Sequence, residues 1–412
     1  MTVYRYSSTA SLIAQSPARQ EIEAFEHWLL GERYSVFATE CHLRRLAFVA
    51  RRLPEIASGA PLSWARLGAV FGRERKPQSR FFCFAGTRRA YERYLRAAGR
   101  LVAEPPGPYA DILDPYAQYL IDVRGLSASA RAHHIQEVGY LLSRGLPRDR
   151  PLLALRRTDV ERYIQVRSRE VTRHSLQHVV ACVRAFLRFA HDHGLVAERL
   201  DGLDTPRTYR GELPPRAMPW ESVQALLAAI DPQSRCGRRD RCMLHLIAHY
   251  GLRPSEIVSL RLDSIDWRTG VLTAYQSKTR SILKLPLASP TIRLLREYLD
   301  RERLRCNTPA PQLFLRARCP FVPLKRTALC DVFARRTREA NITGYGKHVY
   351  CLRHTVAMQL LARGVGVKAI GDVLGHRSLS GTCAYLRLDL AMLRGVALDV
   401  PRRVTRAGDR HA

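Results

Sequence analysis

The segment from His348 to Tyr385 constrains the fold most, because it divides one stretch of chain into three short helical pieces. It reads HVYCLRHTVAMQLLARGVGVKAIGDVLGHRSLSGTCAY. Apolar residues at helical spacing follow Arg353 and stop at Gly364, a second short helix ends before His376, and a third element leads to Tyr385. Guanidinium groups bind phosphate, imidazoles exchange protons, and a phenol is a possible nucleophile. The segment alone predicts either one pocket with these three side chains or unrelated residues of a helical domain.

A second stretch, about a hundred residues upstream, decides between these readings. Residues 250–257 read YGLRPSEI. Together the two stretches resemble the tyrosine recombinases, the phage integrase family: GLRPSE resembles its first arginine motif, LRHT its second, and LGH followed nine residues later by tyrosine its last. The resemblance implies a mainly α-helical fold with a small β-hairpin or sheet in the C-terminal catalytic domain, and helical N-terminal and core-binding domains that complete a clamp on DNA.

The charge balance independently predicts a polyanionic partner. The chain has 67 lysines and arginines against 37 aspartates and glutamates, a net charge of +30. So large an excess favours nucleic acid, with an anionic membrane surface a distant second. No stretch approaches the ~20 apolar residues of a membrane span, and the first residues lack the apolar core of a signal peptide. We therefore expect a cytoplasmic protein that has no membrane partner.

The cysteines and acidic residues predict no metal or cofactor site. The ten cysteines are scattered, without a C-x-x-C pair, and we expect reduced, partly buried thiols. No acidic triad for a divalent metal and no glycine-rich phosphate loop is present. We expect neither a metal nor a cofactor.

Composition shifts along the chain predict three domains and a tail. Residues 1–104 form a helical N-terminal domain that binds DNA or a partner, 109–205 a helical core-binding domain, 217–400 the catalytic domain, and 401–412 a basic tail. Within the first, the basic and aromatic residues 73–89 are equally compatible with a phosphate-tracking segment and an ordinary loop.

Local patterns predict individual elements. Ala90–Val102 has the spacing of a basic amphipathic helix, and residues 158–161 read as a helix-starting capping box. Apolar and polar residues alternate over 271–275 and over 282–285, which predicts the two strands of a hairpin. Pro254 suits the first position of a helix, which puts Arg253 at that helix's start, where backbone N–H groups also point outward.

The resemblance also implies a set of catalytic residues. Lys278, in the turn of the predicted hairpin, matches the family's mobile lysine. Tyr385 would attack the scissile phosphate and form a 3′-phosphotyrosyl bond, which needs no ATP to rejoin. Arg253 and Arg353 would neutralise charge on the phosphate oxygens, Lys278 would protonate the 5′-oxygen, and His376 would bind a phosphate oxygen or assist the nucleophile.

One position departs from the family pattern. Most members carry a histidine three residues before the second arginine, where this chain has Tyr350. Tyrosine can donate a hydrogen bond but is a poor proton acceptor at neutral pH. We expect Tyr350 to substitute in positioning, and His348, two residues earlier, is the less favoured replacement.

The resulting hypothesis is an enzyme that performs DNA integration and excision or transposition, with double-stranded recombination sites as partners. The resemblance implies a homotetramer on two duplexes and accessory recombinases. The alternative is a catalytically weak recombinase-fold protein that only binds and shapes DNA. Residues 386–400 have an apolar face that fits packing either on a neighbouring subunit or on their own domain.

Overall fold

A computed structural model describes residues 7–73, 84–103, 106–145, 151–207, 216–277, 279–376 and 378–383. The chain divides into two compact units. The first comprises Met1–Leu30 and Ser35–Glu212, and the second Gly31–Tyr34 and Leu213–Ala412.

The described part of the chain before residue 208 is almost entirely helical. Its α-helices are Ser7–Ala14 (α1), Arg19–Gly31 (α2), Val36–Ala50 (α3), Pro54–Ala57 (α4), Trp64–Arg73 (α5), Phe84–Ala97 (α6), Ala110–Asp122 (α7), Ala128–Tyr140 (α8), Arg157–Glu170 (α9) and Arg173–Asp192 (α10). Two-residue strands lie at Leu62–Ser63 (β1) and Leu101–Val102 (β2).

The pairing of β1 with β2 corrects one predicted helix. Leu62 and Ser63 pair in parallel with Leu101 and Val102. The helix predicted over Ala90–Val102 therefore ends at Ala97, and Gly99 follows with a φ of +68°. A positive φ ends a helix, so the last residues of the predicted helix are extended instead.

The longest helix, α10, shows how sequence sets its limits. The hydroxyl of Thr172 accepts a hydrogen bond from the Ser175 N–H at its start, and Gly194 follows its end with a φ of +68°. Its buried face includes Phe186, which packs edge-on against Tyr116 of α7 at 5.3 Å between ring centroids. This packing forms the core of the helices after residue 106.

The capping box of α9 lies two residues earlier than predicted, at Arg156 and Asp159. The helix begins at Arg157, and the carboxylate of Asp159 accepts a hydrogen bond from the Arg156 N–H at 3.2 Å. The prediction over 158–161 was wrong in register, because Asp159 rather than Glu161 reaches back to the helix start.

The second unit combines helices with one small sheet. Its described α-helices are Trp220–Ala228 (α11), Gly237–Tyr250 (α12), Pro254–Ser259 (α13), Ser289–Tyr298 (α14), Arg326–Glu339 (α15), Tyr350–Ala362 (α16), Val367–Leu374 (α17) and Leu379–Cys383 (α18). Strands Ile265–Asp266 (β3), Val271–Gln276 (β4) and Ser281–Pro286 (β5) form an antiparallel sheet in the order β3-β4-β5. The predicted hairpin is β4 and β5, whereas β3 was not predicted.

One buried contact ties the start of this unit to α16. Oγ1 of Thr355 accepts a hydrogen bond from the Met218 N–H at 2.9 Å and donates one to the Met218 carbonyl at 2.7 Å. Thr355 is buried, so both bonds are shielded from water. They hold the segment before α11 against the helix that carries Arg353.

The fold class is confirmed: the protein is mainly α-helical with a small sheet in its C-terminal part. The boundaries of the three predicted domains remain a prediction. No helix in the described ranges is long and apolar enough to cross a membrane.

Candidate active site

Arg253 lies at the start of α13, where the sequence predicted it. Pro254 is the first helical residue, and the carboxylate of Glu256 accepts hydrogen bonds from the Arg253 backbone N–H at 2.8 Å and from its Nη1 at 2.7 Å. The side chain of Arg253 is 12% exposed. Glu256 therefore fixes both the helix start and the direction of the guanidinium.

Arg353 lies one turn into α16, which begins at Tyr350, and is only 3% exposed. Its Nη1 donates a hydrogen bond to the Gly251 carbonyl, and its Nη2 donates one to the Leu374 carbonyl at 2.6 Å. Gly251 comes directly after α12, and Leu374 is the last residue of α17. One guanidinium therefore joins the ends of two helices. Such carbonyls lack partners within their own helices, which makes them good acceptors for a buried cation.

Both arginines meet at Leu374, Gly375 and His376, which we call the histidine turn. Nη2 of Arg253 donates a hydrogen bond to the Gly375 carbonyl at 3.1 Å, next to the Leu374 carbonyl that Arg353 holds. Gly375 has a φ of +63°, which only glycine adopts without strain. The two arginine motifs are therefore fixed to one turn of backbone.

His376 is held in place by the following helix. Its Nδ1 is hydrogen-bonded to Oγ1 of the buried Thr382 at 2.7 Å, and its backbone N–H bonds the Gly371 carbonyl at 2.8 Å. With Nδ1 engaged, the ring orientation is set by α18. The structure thus places His376 at the turn that Arg253 and Arg353 hold.

The β4–β5 hairpin lies beside the histidine turn. A cleft of about 340 Å³ separates them, lined by Gln276, Thr279, Ser281, Ile282, Leu283, Asp372, Gly375 and His376. Gln276 and Ser281 are the last paired residues before the hairpin's turn. Lys278, which lies between these two residues in the sequence, is outside the described residues. Tyr385, which comes two residues after Cys383 in the sequence, is also outside them.

Tyr350 is the first residue of α16 and is 39% exposed. It is three positions before Arg353, so both lie on one side of the helix. His348 is exposed and precedes the helix. His354 directly follows Arg353 in the sequence. Burial lowers the pKa of His354, and the charge of the Arg353 guanidinium lowers it further.

Sequence reasoning missed three side chains that support the site: Glu256, Gln276 and Thr382. Glu256 had a signal, because a glutamate three residues after a helix start commonly reaches back to it. Gln276 and Thr382 had none, since their contacts depend on tertiary packing. In the described parts of the chain, no three His, Cys, Asp or Glu side chains group in a way that could hold a metal ion.

Two comparisons concern proteins of similar sequence. The model of the phage integrase family matches residues 216–391. The tyrosine recombinase XerD of Mycobacterium leprae is 30% identical over 324 residues, which cover 74% of this chain and 93% of that protein. A second relative, the protein y4gC of Sinorhizobium fredii, whose name describes an integrase/recombinase, is 39% identical over 179 residues, 43% of this chain and 90% of that one.

A solved structure has the same fold. The lambda integrase tetramer bound to a Holliday junction aligns with a TM-score of 0.53 at 16% identity, covering 76% of this chain and 88% of that one. The helical fold is thus shared with that structure. The chain belongs to the phage integrase family and is a tyrosine site-specific recombinase. The alternative of a catalytically weak DNA binder is not favoured.

Proposed function

We propose that this protein cuts and rejoins double-stranded DNA at recombination sites, for integration and excision or for transposition, with Tyr385 as its nucleophile. The observation that carries the proposal is the fixing of Arg253 and Arg353 to the histidine turn. Guanidinium groups held by protein carbonyls are positioned before the substrate binds, so they stabilise transition-state charge without reorganising.

The proposed reaction exchanges one phosphodiester for another. The Tyr385 oxygen bonds to phosphorus, the bond to the 5′-oxygen breaks, and Lys278 gives a proton to that leaving oxygen. The phenol's proton passes to solvent and Lys278 takes one back from solvent, so the net change moves one proton from Tyr385 to the 5′-oxygen. Rejoining is the reverse, with a 5′-hydroxyl as the nucleophile. The number of P–O bonds is unchanged, so no nucleotide is consumed.

We assign the remaining roles by position. Arg253 and Arg353 bind the non-bridging oxygens of the scissile phosphate. His376, with Nδ1 held by Thr382, presents its other ring nitrogen to a phosphate oxygen. Tyr350, at the family's usual histidine position, contributes a hydroxyl that orients the phosphate or the nucleophile. Its exposure at the start of α16 supports contact with DNA.

We further propose four copies of the chain on two duplexes, with accessory recombinases as possible partners. The tetrameric lambda structure supports this arrangement through its shared fold, and the net charge of +30 supports binding to DNA over many phosphates. In this scheme residues 109–205 and 217–400 bind the core site, residues 1–104 bind DNA or a partner, and 401–412 form a basic tail.

We propose the cytoplasm as the site of the reaction. The cysteines in the described residues carry free thiols, which supports a reducing compartment.

A suicide substrate tests the nucleophile. A binding site is first selected from random duplexes, then nicked beside the cleavage position so that the cut fragment diffuses away and the covalent adduct accumulates. We expect the unmodified chain to form a protein–DNA adduct visible on a denaturing gel. The adduct should be absent with Tyr385→Phe and should persist with Tyr350→Phe. Absence of an adduct with the unmodified chain on its bound site would contradict the proposed function.

A further inference from the structure

Gln276 is a buried polar residue at the end of β4, with only 1% of its surface exposed. Its Oε1 accepts hydrogen bonds from the hydroxyls of Thr279 and Ser281, each at 3.1 Å. Those two hydroxyl oxygens are 2.7 Å apart, so the three oxygens share the two hydroxyl protons. One side chain therefore gathers the polar groups on the far side of the hairpin's turn.

The backbone of Gln276 closes the same turn. Its carbonyl accepts hydrogen bonds from the N–H groups of Thr279, at 3.1 Å, and Arg280, at 2.7 Å. Lys278 lies in the sequence between these donors and their acceptor. Gln276 thus fixes the two chain segments that flank Lys278.

The other side of Gln276 packs against the histidine turn. A Cβ built at Gly375 would lie 2.1 Å from Oε1 and 2.2 Å from Nε2 of Gln276. The amide therefore occupies the space beside a residue that has no side chain. Since the Gly375 carbonyl also accepts from Arg253, the amide packs against backbone that an arginine of the site already holds.

The amide nitrogen has no evident structural use. Nε2 of Gln276 is buried and has no hydrogen-bond partner among the described residues. A buried donor without an acceptor costs free energy, which offsets part of what the hydrogen bonds of Oε1 contribute. Gln276 and His376 line the same cleft. A buried amide with an unpartnered nitrogen at this position indicates a role in the site.

We propose that Gln276 is a positioning residue, which holds the β4–β5 hairpin against the histidine turn so that Lys278 reaches the leaving 5′-oxygen. The inference rests on the proposed function, because it takes Lys278 as the general acid. Gln276 itself does not touch the reacting atoms. Its effect is confined to the protonation of the leaving group, whereas Arg253 and Arg353 act on the phosphate.

A bridging-sulfur substrate isolates that step. When sulfur replaces the 5′-oxygen at the scissile phosphate, the leaving group is a thiolate. A thiol has a pKa of about 8.5 and is a far stronger acid than an alcohol. A thiolate departs without a proton, so the general acid becomes dispensable. Single-turnover cleavage is measured on the oxygen and sulfur substrates for each variant.

Gln276→Met keeps the length of the side chain and removes its hydrogen bonds. We expect cleavage of the oxygen substrate to slow by about 10- to 100-fold, the range for a misplaced catalytic group. The sulfur substrate should be cut at the rate of the unmodified chain. Equal slowing on both substrates, or no slowing on either, would overturn the inference.

A second variant avoids changing the buried position. Thr279→Val combined with Ser281→Ala removes the same two hydrogen bonds from the less buried side of the turn, and it should show the same sulfur-rescued slowing. Gln224→Met is the matched control, because Gln224 is exposed on α11 and outside the site. It should cut both substrates at the unmodified rate.

Lys278→Ala separates this inference from the proposed function. If sulfur rescues Lys278→Ala but not Gln276→Met, only the positioning role of Gln276 is wrong. If Lys278→Ala is slowed equally on both substrates, the general-acid assignment is wrong and the inference fails with it.

Discussion

Arg353 holds the fold together with the same atoms that bind the phosphate in the proposed reaction. Its guanidinium is buried, and its two Nη atoms bond the carbonyls of Gly251 and Leu374, which are 102 and 21 residues away in sequence. A lysine could not satisfy both carbonyls, because its single ammonium lacks the planar fork of donors. Arg253 differs in having Glu256 as a charge partner at 2.7 Å.

The glycine of the histidine turn is the residue whose substitution tests the site's geometry most directly. Gly375→Ala adds a methyl group that meets the Gln276 amide, at a backbone with a φ of +63°. We expect a loss of about 3 kcal/mol of unfolding free energy, from left-handed strain of about 1–2 kcal/mol and overpacking. DNA cleavage should fall at least about 10-fold, because the hairpin must move.

Gly364→Ala is the matched control for that substitution. Gly364 follows α16 with a φ of +77°, and a Cβ there meets nothing within 4 Å. It should lose only the strain of about 1–2 kcal/mol and keep its cleavage rate. Urea unfolding and single-turnover cleavage provide the comparison, and equal effects of the two alanines would refute the role assigned to the contact with Gln276.

At the scale of elements, the helices and the hairpin were predictable because their signals are local. Gly251 ends α12 and Pro254 begins α13, as their backbone preferences require. Strands β1 and β2 were not predictable, because two-residue strands leave no alternating pattern and pair across 39 residues. Strand β3 was missed because it also has only two residues, although it pairs with the nearby β4.

Helices α12 and α15 are joined by one buried carboxylate. Asp240 is fully buried, and its two oxygens accept hydrogen bonds from the guanidinium groups of Arg239, at 2.8 Å, and Arg336, at 2.7 Å, and from the half-exposed Arg335. Asp240→Asn removes the negative charge and leaves Arg239 and Arg336 buried without it. We expect a loss of about 3–5 kcal/mol of unfolding free energy, measured by urea unfolding.

The control for Asp240 lies on the same helix pair. Glu339 accepts a hydrogen bond from Nη1 of Arg336 at 2.8 Å, but about half of its side chain is exposed. Glu339→Gln should cost less than about 1 kcal/mol, because water replaces the lost interaction. Similar losses from both substitutions would contradict the buried network as the link between the helices.

At the scale of the whole molecule, each compact unit contains a histidine that folding keeps neutral. Burial lowers the pKa of His245 to about 4, and the nearby His249 and Arg241 add to the effect. Burial likewise lowers the pKa of His42 to about 4, with a further contribution from the charges of Arg45 and Arg93. An unfolded histidine titrates near 6.5. Between pH 6.5 and 4 the unfolded chain therefore binds more protons, and stability falls as the pH falls.

His245→Gln tests this dependence in the second unit. We expect the unfolding free energy of the unmodified chain to decrease from pH 7 to pH 5, and the variant's to decrease less, by up to about 1.4 kcal/mol per pH unit for one proton. Above pH 7 the two curves should run parallel. Urea titrations at each pH measure both, and equal slopes between pH 6.5 and 5 would show that His245 does not contribute.

The sequence by itself determined the order of the helices, the lysine hairpin and the residues that carry the family's motifs, because those features depend on spacing and local backbone preference. It also predicted Arg253 at a helix start, through Pro254. Only the tertiary structure decided that Arg253 and Arg353 hold one turn, and that Gln276 packs against its glycine. Those contacts join segments about a hundred residues apart, and such contacts depend on how the helices and hairpin pack, which no local pattern encodes.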